Sequence, residues 1–325
     1  MSEKDVAPYE PSREVIRFSK LRVLFPSKTH CVHAVDEVSF SLSAPSSFAL
    51  MGESGSGKSV MASTLLRLLP KEAIVEGRIS AFGFDNLLDL PIRRFHRLRG
   101  TRMVLIPQNP LGSLHPMFRI DTQVRQTLRV RGQLPKRQEE IQVNEALLRV
   151  GFSDPKRIAR MFPHELSGGM AQRVLLAVGV GVDSKPDLII ADEPTKGVDA
   201  ADREHLVALL LERFDQSTIL LITHDPWIAK KCQQMAVMYA GEWVETGESR
   251  KILDHPLHPY TQGLLAAHPR YGLHPIQGFM PEPSALPTGC RFHPRCHRCD
   301  ERCRIEHPEP VSVDNRMVRC FHASS

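Results

Sequence analysis

Residues 52–59 read Gly52-Glu53-Ser54-Gly55-Ser56-Gly57-Lys58-Ser59, which satisfies G-x-x-x-x-G-K-[ST] without a mismatch. The octapeptide follows an apolar run at 47–51 and precedes residues 59–69, where leucines and small side chains recur at helical spacing. Strand, glycine-rich turn and helix are therefore predicted in that order. The chemistry follows from the backbone, because glycines let successive N–H groups curl around phosphate oxygens and the helix N-terminus adds positive potential. Lys58 is placed to reach the β- and γ-phosphates of a nucleoside triphosphate, and the Ser59 hydroxyl to ligate Mg²⁺. A Gly/Ser-rich turn with a chance lysine is the competing reading, and the flanking elements weigh against it.

Leu188-Ile189-Ile190-Ala191-Asp192-Glu193 is an apolar run closed by two carboxylates. A run without alternation suits a strand buried on both faces of a parallel sheet, and residues 218–223 read the same way, so both are expected at the sheet centre. Asp192 then stands at the carboxyl end of the sheet, where it can hold Mg²⁺ through water. Glu193 is expected to project toward the γ-phosphate as general base or to orient the attacking water. Upstream, residues 14–25 and 34–50 carry apolar side chains near period two and predict an antiparallel edge. From about 108 to 183 the pattern is mostly helical, with a polar-faced helix at 137–150 closed by Gly151. After about residue 265 it gives way to His, Pro and Gly around five cysteines, in a segment too small to build a core of its own.

The 325 residues allow one large domain with an appendage, and 42 Lys+Arg against 37 Asp+Glu leave a net charge of only +5. Both signs are interspersed, without the dense basic stripe that a dedicated duplex-DNA binder needs, so no nucleic acid is expected as partner. The longest apolar stretch, Val174 to Val182, is about half of the roughly 20 residues that cross the hydrocarbon. The first 13 residues carry Glu3, Asp5 and Glu10 and no apolar segment, unlike a secretory signal, so a cytosolic protein is expected. Of seven cysteines, Cys290, Cys296, Cys299, Cys303 and Cys320 crowd into the tail, which in a reducing compartment suggests a metal site rather than disulfides.

Leu166-Ser167-Gly168-Gly169-Met170-Ala171-Gln172-Arg173 adds a second anion-binding helix N-terminus that the chain's own phosphate loop does not need. With the motifs above, the sequence strongly resembles the ATP-binding subunits of ABC transporters over about residues 14 to 265. The resemblance implies an α/β P-loop NTPase of ABC type: a RecA-like mixed-sheet core, an antiparallel β subdomain, and a helical subdomain at about 109–183. A disordered segment 1–13 and a cysteine-rich extension 266–325 flank the ATP-binding domain 14–265. It further implies that two such subunits meet head to tail, each ATP lying between one chain's P-loop and the other's Ser167-Gly168-Gly169 helix. Gln108 falls at the Q-loop, sensing Mg²⁺ and the attacking water, Asp199 at the D-loop crossing the dimer interface, and His224 at the switch that touches the γ-phosphate. Phe25 either stacks on adenine or belongs to the core.

Three segments resemble the oligopeptide, dipeptide and nickel uptake branch: Gln108-Asn109-Pro110-Leu111-Gly112-Ser113-Leu114-His115-Pro116, His258-Pro259-Tyr260-Thr261, and Leu286-Pro287-Thr288-Gly289-Cys290-Arg291-Phe292 leading to Arg295-Cys296. Asn109 and His115 depart from that branch's usual residues. The resemblance implies ATP-driven uptake of di- or oligopeptides, or else of nickel, a metallophore or an opine. The implied partners are a second, non-identical ATPase, two permease subunits and an extracytoplasmic substrate-binding protein, with this chain on the cytoplasmic face of the membrane. Cys290, Cys296, Cys303 and Cys320 match a pattern associated in the branch with a [4Fe-4S] cluster. Zinc and free thiols remain as alternatives, Cys299 can substitute for one ligand, and His293, His297 and His322 are further candidate ligands. A soluble ABC ATPase acting on nucleic acid or ribosomes is the rival from another class; two cassettes or a long coiled-coil insert would mark one, and neither is seen.

Overall fold

A computed structural model describes residues 14–132, 134–181 and 185–323; the segment 1–13 expected to be disordered lies outside them. The described strands are β1 (Glu14–Pro26), β2 (Cys31–Ser43), β3 (Ser46–Met51), β4 (Ile74–Ala81), β5 (Met103–Ile106), β6 (Leu188–Asp192), β7 (Thr218–Ile222), β8 (Gln234–Tyr239), β9 (Glu242–Glu248), β10 (Val311–Val313) and β11 (Arg316–Val318). Two compact units share them: residues 89–221 with the short piece 43–46 form one, and residues 16–42, 47–88 and everything from 222 onward form the other.

The unit that carries the P-loop has two sheets. One has the order β2-β1-β4, with β1 antiparallel to β4 and Phe18 opposite Ile79. The period-two pattern of β1 follows, since alternate residues such as Ile16 and Phe18 are buried on one face. The other sheet runs β10-β11-β9-β8-β3 and is mixed: β3 is parallel to β8, while β8–β9 and β9–β11 are antiparallel. Leu50, Met51, Met61, Leu65, Met235 and Val237 are sealed from solvent and form its core. The extension gains a core by joining this sheet: β11 seats on β9, and Val318 is fully buried.

The other unit orders its strands β7-β6-β5, with β5 parallel to β6. Thr218–Ile222 is buried throughout and Leu188–Ala191 is 0% exposed, so both unbroken apolar runs are sealed from solvent, with β6 between β7 and β5. The helices Ile120–Arg131, Lys136–Arg149, Pro155–Arg160 and Gly168–Val180 pack on one another through Val124, Leu128, Val143, Leu147 and Val174. The second of these ends at Arg149 and turns at Gly151 with φ +86°, as the sequence indicates.

Two local expectations shift. The strand expected over 34–50 is two strands, β2 and β3, because Pro45 between them has no N–H to give a ladder. The helix expected over 59–69 is Lys58–Leu65, and Arg67 at φ +48° closes the turn that ends it. No helix among the described residues is long and apolar enough to cross a membrane.

Candidate functional site

β3 delivers the chain into the glycine loop, and the helix Lys58–Leu65 leaves it. Backbone contacts force the glycines: a Cβ at Gly52 would lie 2.2 Å from the Met238 carbonyl oxygen, and one at Gly57 2.2 Å from that of Ala34. Gly57 caps the helix at φ +108° without a side-chain hydrogen bond, so no side chain caps the first-turn N–H groups there and they remain suited to an anion. The Lys58 ammonium is folded over the loop, donating to the carbonyls of Gly52 (2.8 Å) and Glu53 (2.7 Å) and to Ser56 Oγ (3.3 Å). Ser54 and Gly55 are exposed at the tip, as is Ser59 in the first helical turn. The Thr223 N–H donates to the Leu50 carbonyl at 3.1 Å, which sets the exposed His224 beside the strand that feeds the loop. Phe25, near the end of β1, is half-buried.

Glu53 is a hub. Its N–H donates to Tyr260 Oη at 2.8 Å, its carbonyl accepts from Lys58, and its carboxylate takes a bidentate pair from Arg295 at 2.8 and 3.1 Å. Tyr260 is positioned by the His258-Pro259-Tyr260-Thr261 motif: His258 caps the helix Pro259–Ala266, its Nδ1 accepting from the Tyr260 N–H at 3.0 Å, with proline at the first helical position. Burial holds the His258 imidazole down to about 3, so it is neutral and free to accept. Nearby, Arg291 donates to the Ala240 carbonyl at 2.5 Å and pairs with Asp36, and the Gly241 N–H donates to the Ser56 carbonyl at 3.0 Å. Although burial acts to raise it, the Asp36 carboxyl is held below its ordinary range by Arg291 and Arg22.

Asp192, Glu193, Gln108, Ser167, Gly168, Gly169 and Asp199 lie in the other unit. Asp192 ends β6 half-buried, and Glu193, 8% exposed, takes φ +48°. A left-handed conformation in a residue with a side chain is costly and clusters at functional sites. Gln108 follows β5 by two positions and, with Asn109, Gly168, Lys196 and Gly197, lines a cavity of about 390 Å³. Gly168 sits so close that a Cβ would meet the Gly197 carbonyl oxygen at 2.3 Å. Ser167 is exposed and caps its helix, Oγ accepting from the Met170 N–H at 3.3 Å; Asp199 is exposed at the start of the helix Ala200–Arg213. Asn109, the departure from the branch pattern, caps Pro110–Ser113 by accepting from the Gly112 N–H at 3.0 Å.

None of the seven cysteines is in a disulfide. Burial pushes the Cys290 thiol up to about 12 and Cys303 to about 11, and raises Cys296 and Cys320. Neighbouring thiols add to this: Cys303 and Cys320 act on Cys290, Cys320 and Cys299 on Cys296, and Cys299 on Cys303. Cys303 also gathers with Asp300 and His322, its Sγ 3.6 Å from His322 Nε2, which is 3.2 Å from Asp300 Oδ2. His293 and His297 are not part of that group.

Comparison with known proteins decides the family. Residues 35–196 match the family described as ABC transporter, and residues 244–303 the one described as Oligopeptide/dipeptide transporter, C-terminal region. A Brucella melitensis protein named as a candidate peptide import ATP-binding protein is 37% identical over 314 residues, 94% of each chain. The oligopeptide transport ATP-binding protein AppD of Bacillus subtilis is 35% identical over 319 residues, covering 94% of this chain and 96% of its own. The chain belongs to the ATP-binding subunits of ABC transporters. Its fold is that of the family: the ATP-binding cassette MJ0796, solved as a dimer in a post-hydrolysis state with ADP and Pi, aligns with a TM-score of 0.64 at 24% identity over 73% of this chain and 99% of that one. This ABC subunit is accordingly an ATPase, and the C-terminal match runs from β9 through Tyr260, Cys290 and Cys296 to Cys303.

In the sequence Tyr260, Arg291 and Arg295 are branch markers without a role; their contacts with Glu53 and Asp36 supply one. The only signal in the sequence is their adjacency to His258, Cys290 and Cys296.

Proposed function

We propose that this chain is the ATP-hydrolysing subunit of a peptide importer. It works at the cytoplasmic face of the membrane in a head-to-tail pair with a second, non-identical ATPase, on two permeases fed by an extracytoplasmic substrate-binding protein. The observation that carries the reading is the presence of two separate helix starts suited to anions: the Gly57 start with Lys58 beside it, and the Ser167-Gly168-Gly169 start, whose Ser167 is exposed. One chain needs only the first for its own nucleotide, so the second is offered to a partner's. Exposed Leu111, Met117 and Phe118, which follow Gln108, support a docking face for the permeases.

In this reading the loop amides and Lys58 bind the phosphates, Phe25 stacks on adenine, and Glu193 takes the proton of the attacking water. His224 holds the γ-phosphate, while Gln108 and Asp199 link the site to the permeases and to the partner ATPase. Ser59, Gln108 and Asp192 offer the oxygen donors that suit Mg²⁺, which supplies charge neutralisation at the β- and γ-phosphates when bound. Cleavage is positioning and electrostatics, with no covalent intermediate.

The extension is read as a [4Fe-4S] site held by Cys290, Cys296, Cys303 and Cys320. Electrostatic influence links Cys290 to Cys303 and Cys320, and Cys320 to Cys296, which supports it, since half-buried thiols that sense one another suit such a cluster. The Asp300–Cys303–His322 group favours a second reading, a single zinc ion on mixed oxygen, sulfur and nitrogen donors. Iron, sulfide and zinc analysis of anaerobically purified protein decides between them.

The transport reading is tested by reconstituting the chain with the second ATPase and permeases in vesicles. ATP-dependent peptide accumulation that is lost with Glu193→Gln is expected. Full ATPase activity of the isolated chain, with no binding to permease-containing vesicles, would overturn it.

A further inference from the structure

The P-loop's second residue is an acid, in a loop whose ligand is a polyanion. A bare carboxylate there repels the triphosphate, and the repulsion grows with each phosphate added. Arg295 meets this charge with a two-pronged guanidinium whose side chain is only 4% exposed against 30% for Glu53. The third nitrogen, Nε, donates to the Gln277 carbonyl at 3.2 Å, and the group lies 5.9 and 6.0 Å from the ring centres of Tyr239 and Phe292. So fixed and so dry a cation neutralises its partner more completely than a surface lysine could.

Arg295 precedes Cys296, and Arg291 follows Cys290. Both arginines of this short segment are fastened to the nucleotide-binding core, Arg291 through Ala240 and Asp36 and Arg295 through Glu53. We propose that Arg295 is a positioning residue for nucleotide binding: it neutralises and immobilises the Glu53 carboxylate, so the loop accepts a triphosphate at full affinity only while the segment between Cys290 and Cys296 is in place. This rests on the P-loop reading above and adds a way for the state of the cysteines to reach the nucleotide.

The test measures ATP and ADP dissociation constants for the full chain as wild type, Arg295→Ala, Glu53→Gln and the double variant. Arg295→Ala is expected to weaken ATP about tenfold and ADP less, and the double variant to return within about threefold of wild type, because no carboxylate is left to neutralise. A purely structural role for Arg295 gives no such rescue. Unchanged ATP affinity in Arg295→Ala, or a double variant as weak as the single, overturns the proposal while leaving the P-loop reading intact. A wild-type chain that binds no ATP overturns both. If Arg295→Ala does not fold, Arg295→Gln with and without Glu53→Gln gives the same comparison.

Discussion

The phenol oxygen of Tyr260 accepts the main-chain N–H of Glu53 at 2.8 Å, joining positions 207 residues apart. Tyr260 is fully buried, and its helix is aimed by the His258 cap, so the contact is fixed before nucleotide arrives. Tyr260→Phe keeps the ring and strands a part-buried N–H, a loss of about 1–3 kcal/mol. The KM for ATP should rise about five- to tenfold with kcat changed less, because loop geometry is lost and no reacting group is. Steady-state kinetics of the assembled ATPase give the split, and an equal fall in kcat at unchanged KM would contradict it.

Glu193→Gln should leave ATP affinity within about twofold and lower turnover by a factor on the order of 100 or more, as loss of a general base does. Glutamine can keep the same backbone, so the φ of +48° at Glu193 need not change. Equilibrium binding beside phosphate release separates the two effects. Unimpaired turnover would remove Glu193 from the chemistry.

What the sequence made legible was local. Gly52 to Ser59, the β6 run ending at Asp192 and the Ser167 cap each declare themselves within about ten residues, because glycine, lysine and apolar periodicity act on their immediate neighbours. The ties that shape the loop were hidden for the opposite reason: Arg295 lies 242 positions from Glu53, and Arg291 lies 255 from Asp36. Nothing in an isolated arginine says which carboxylate it will meet. β10 and β11, three residues each, are too short to show a period, so the way the extension joins the sheet could not be read. The break at Pro45 and the helix end at Leu65 were blurred because apolar residues continue past both.

Gly168→Ala should abolish turnover in the paired ATPases without weakening ATP at the chain's own P-loop. The added Cβ would lie 2.3 Å from the Gly197 carbonyl oxygen, so either the start of the helix or the turn before Asp199 must move. In a mixed pair with one marked subunit, the partner's site should fail, and the same holds for Ser167 replacements. Loss confined to the mutated chain's own site would contradict the head-to-tail arrangement.

The fully buried His258, which caps the helix that carries Tyr260, gives the Tyr260–Glu53 contact a pH limit. Burial depresses its pKa from 6.5 to about 3, so between those values the unfolded chain binds a proton that the folded chain refuses. The unfolded state therefore gains as pH falls: the contribution of neutral His258 is fully present above about 6.5 and is lost progressively toward 3. His307 has the opposite sign, its pKa raised by the hydrogen bond to Glu242, and its contribution fades as pH rises. A comparison with His258→Asn cancels that term, since asparagine can cap the same helix without titrating. From pH 6.5 to 5, urea unfolding should show the wild type losing on the order of 2 kcal/mol more than the variant, the amount set by one proton excluded over that interval. Parallel pH profiles for the two proteins would mean that His258 accepts its proton in the folded state and that the Tyr260 cap survives it.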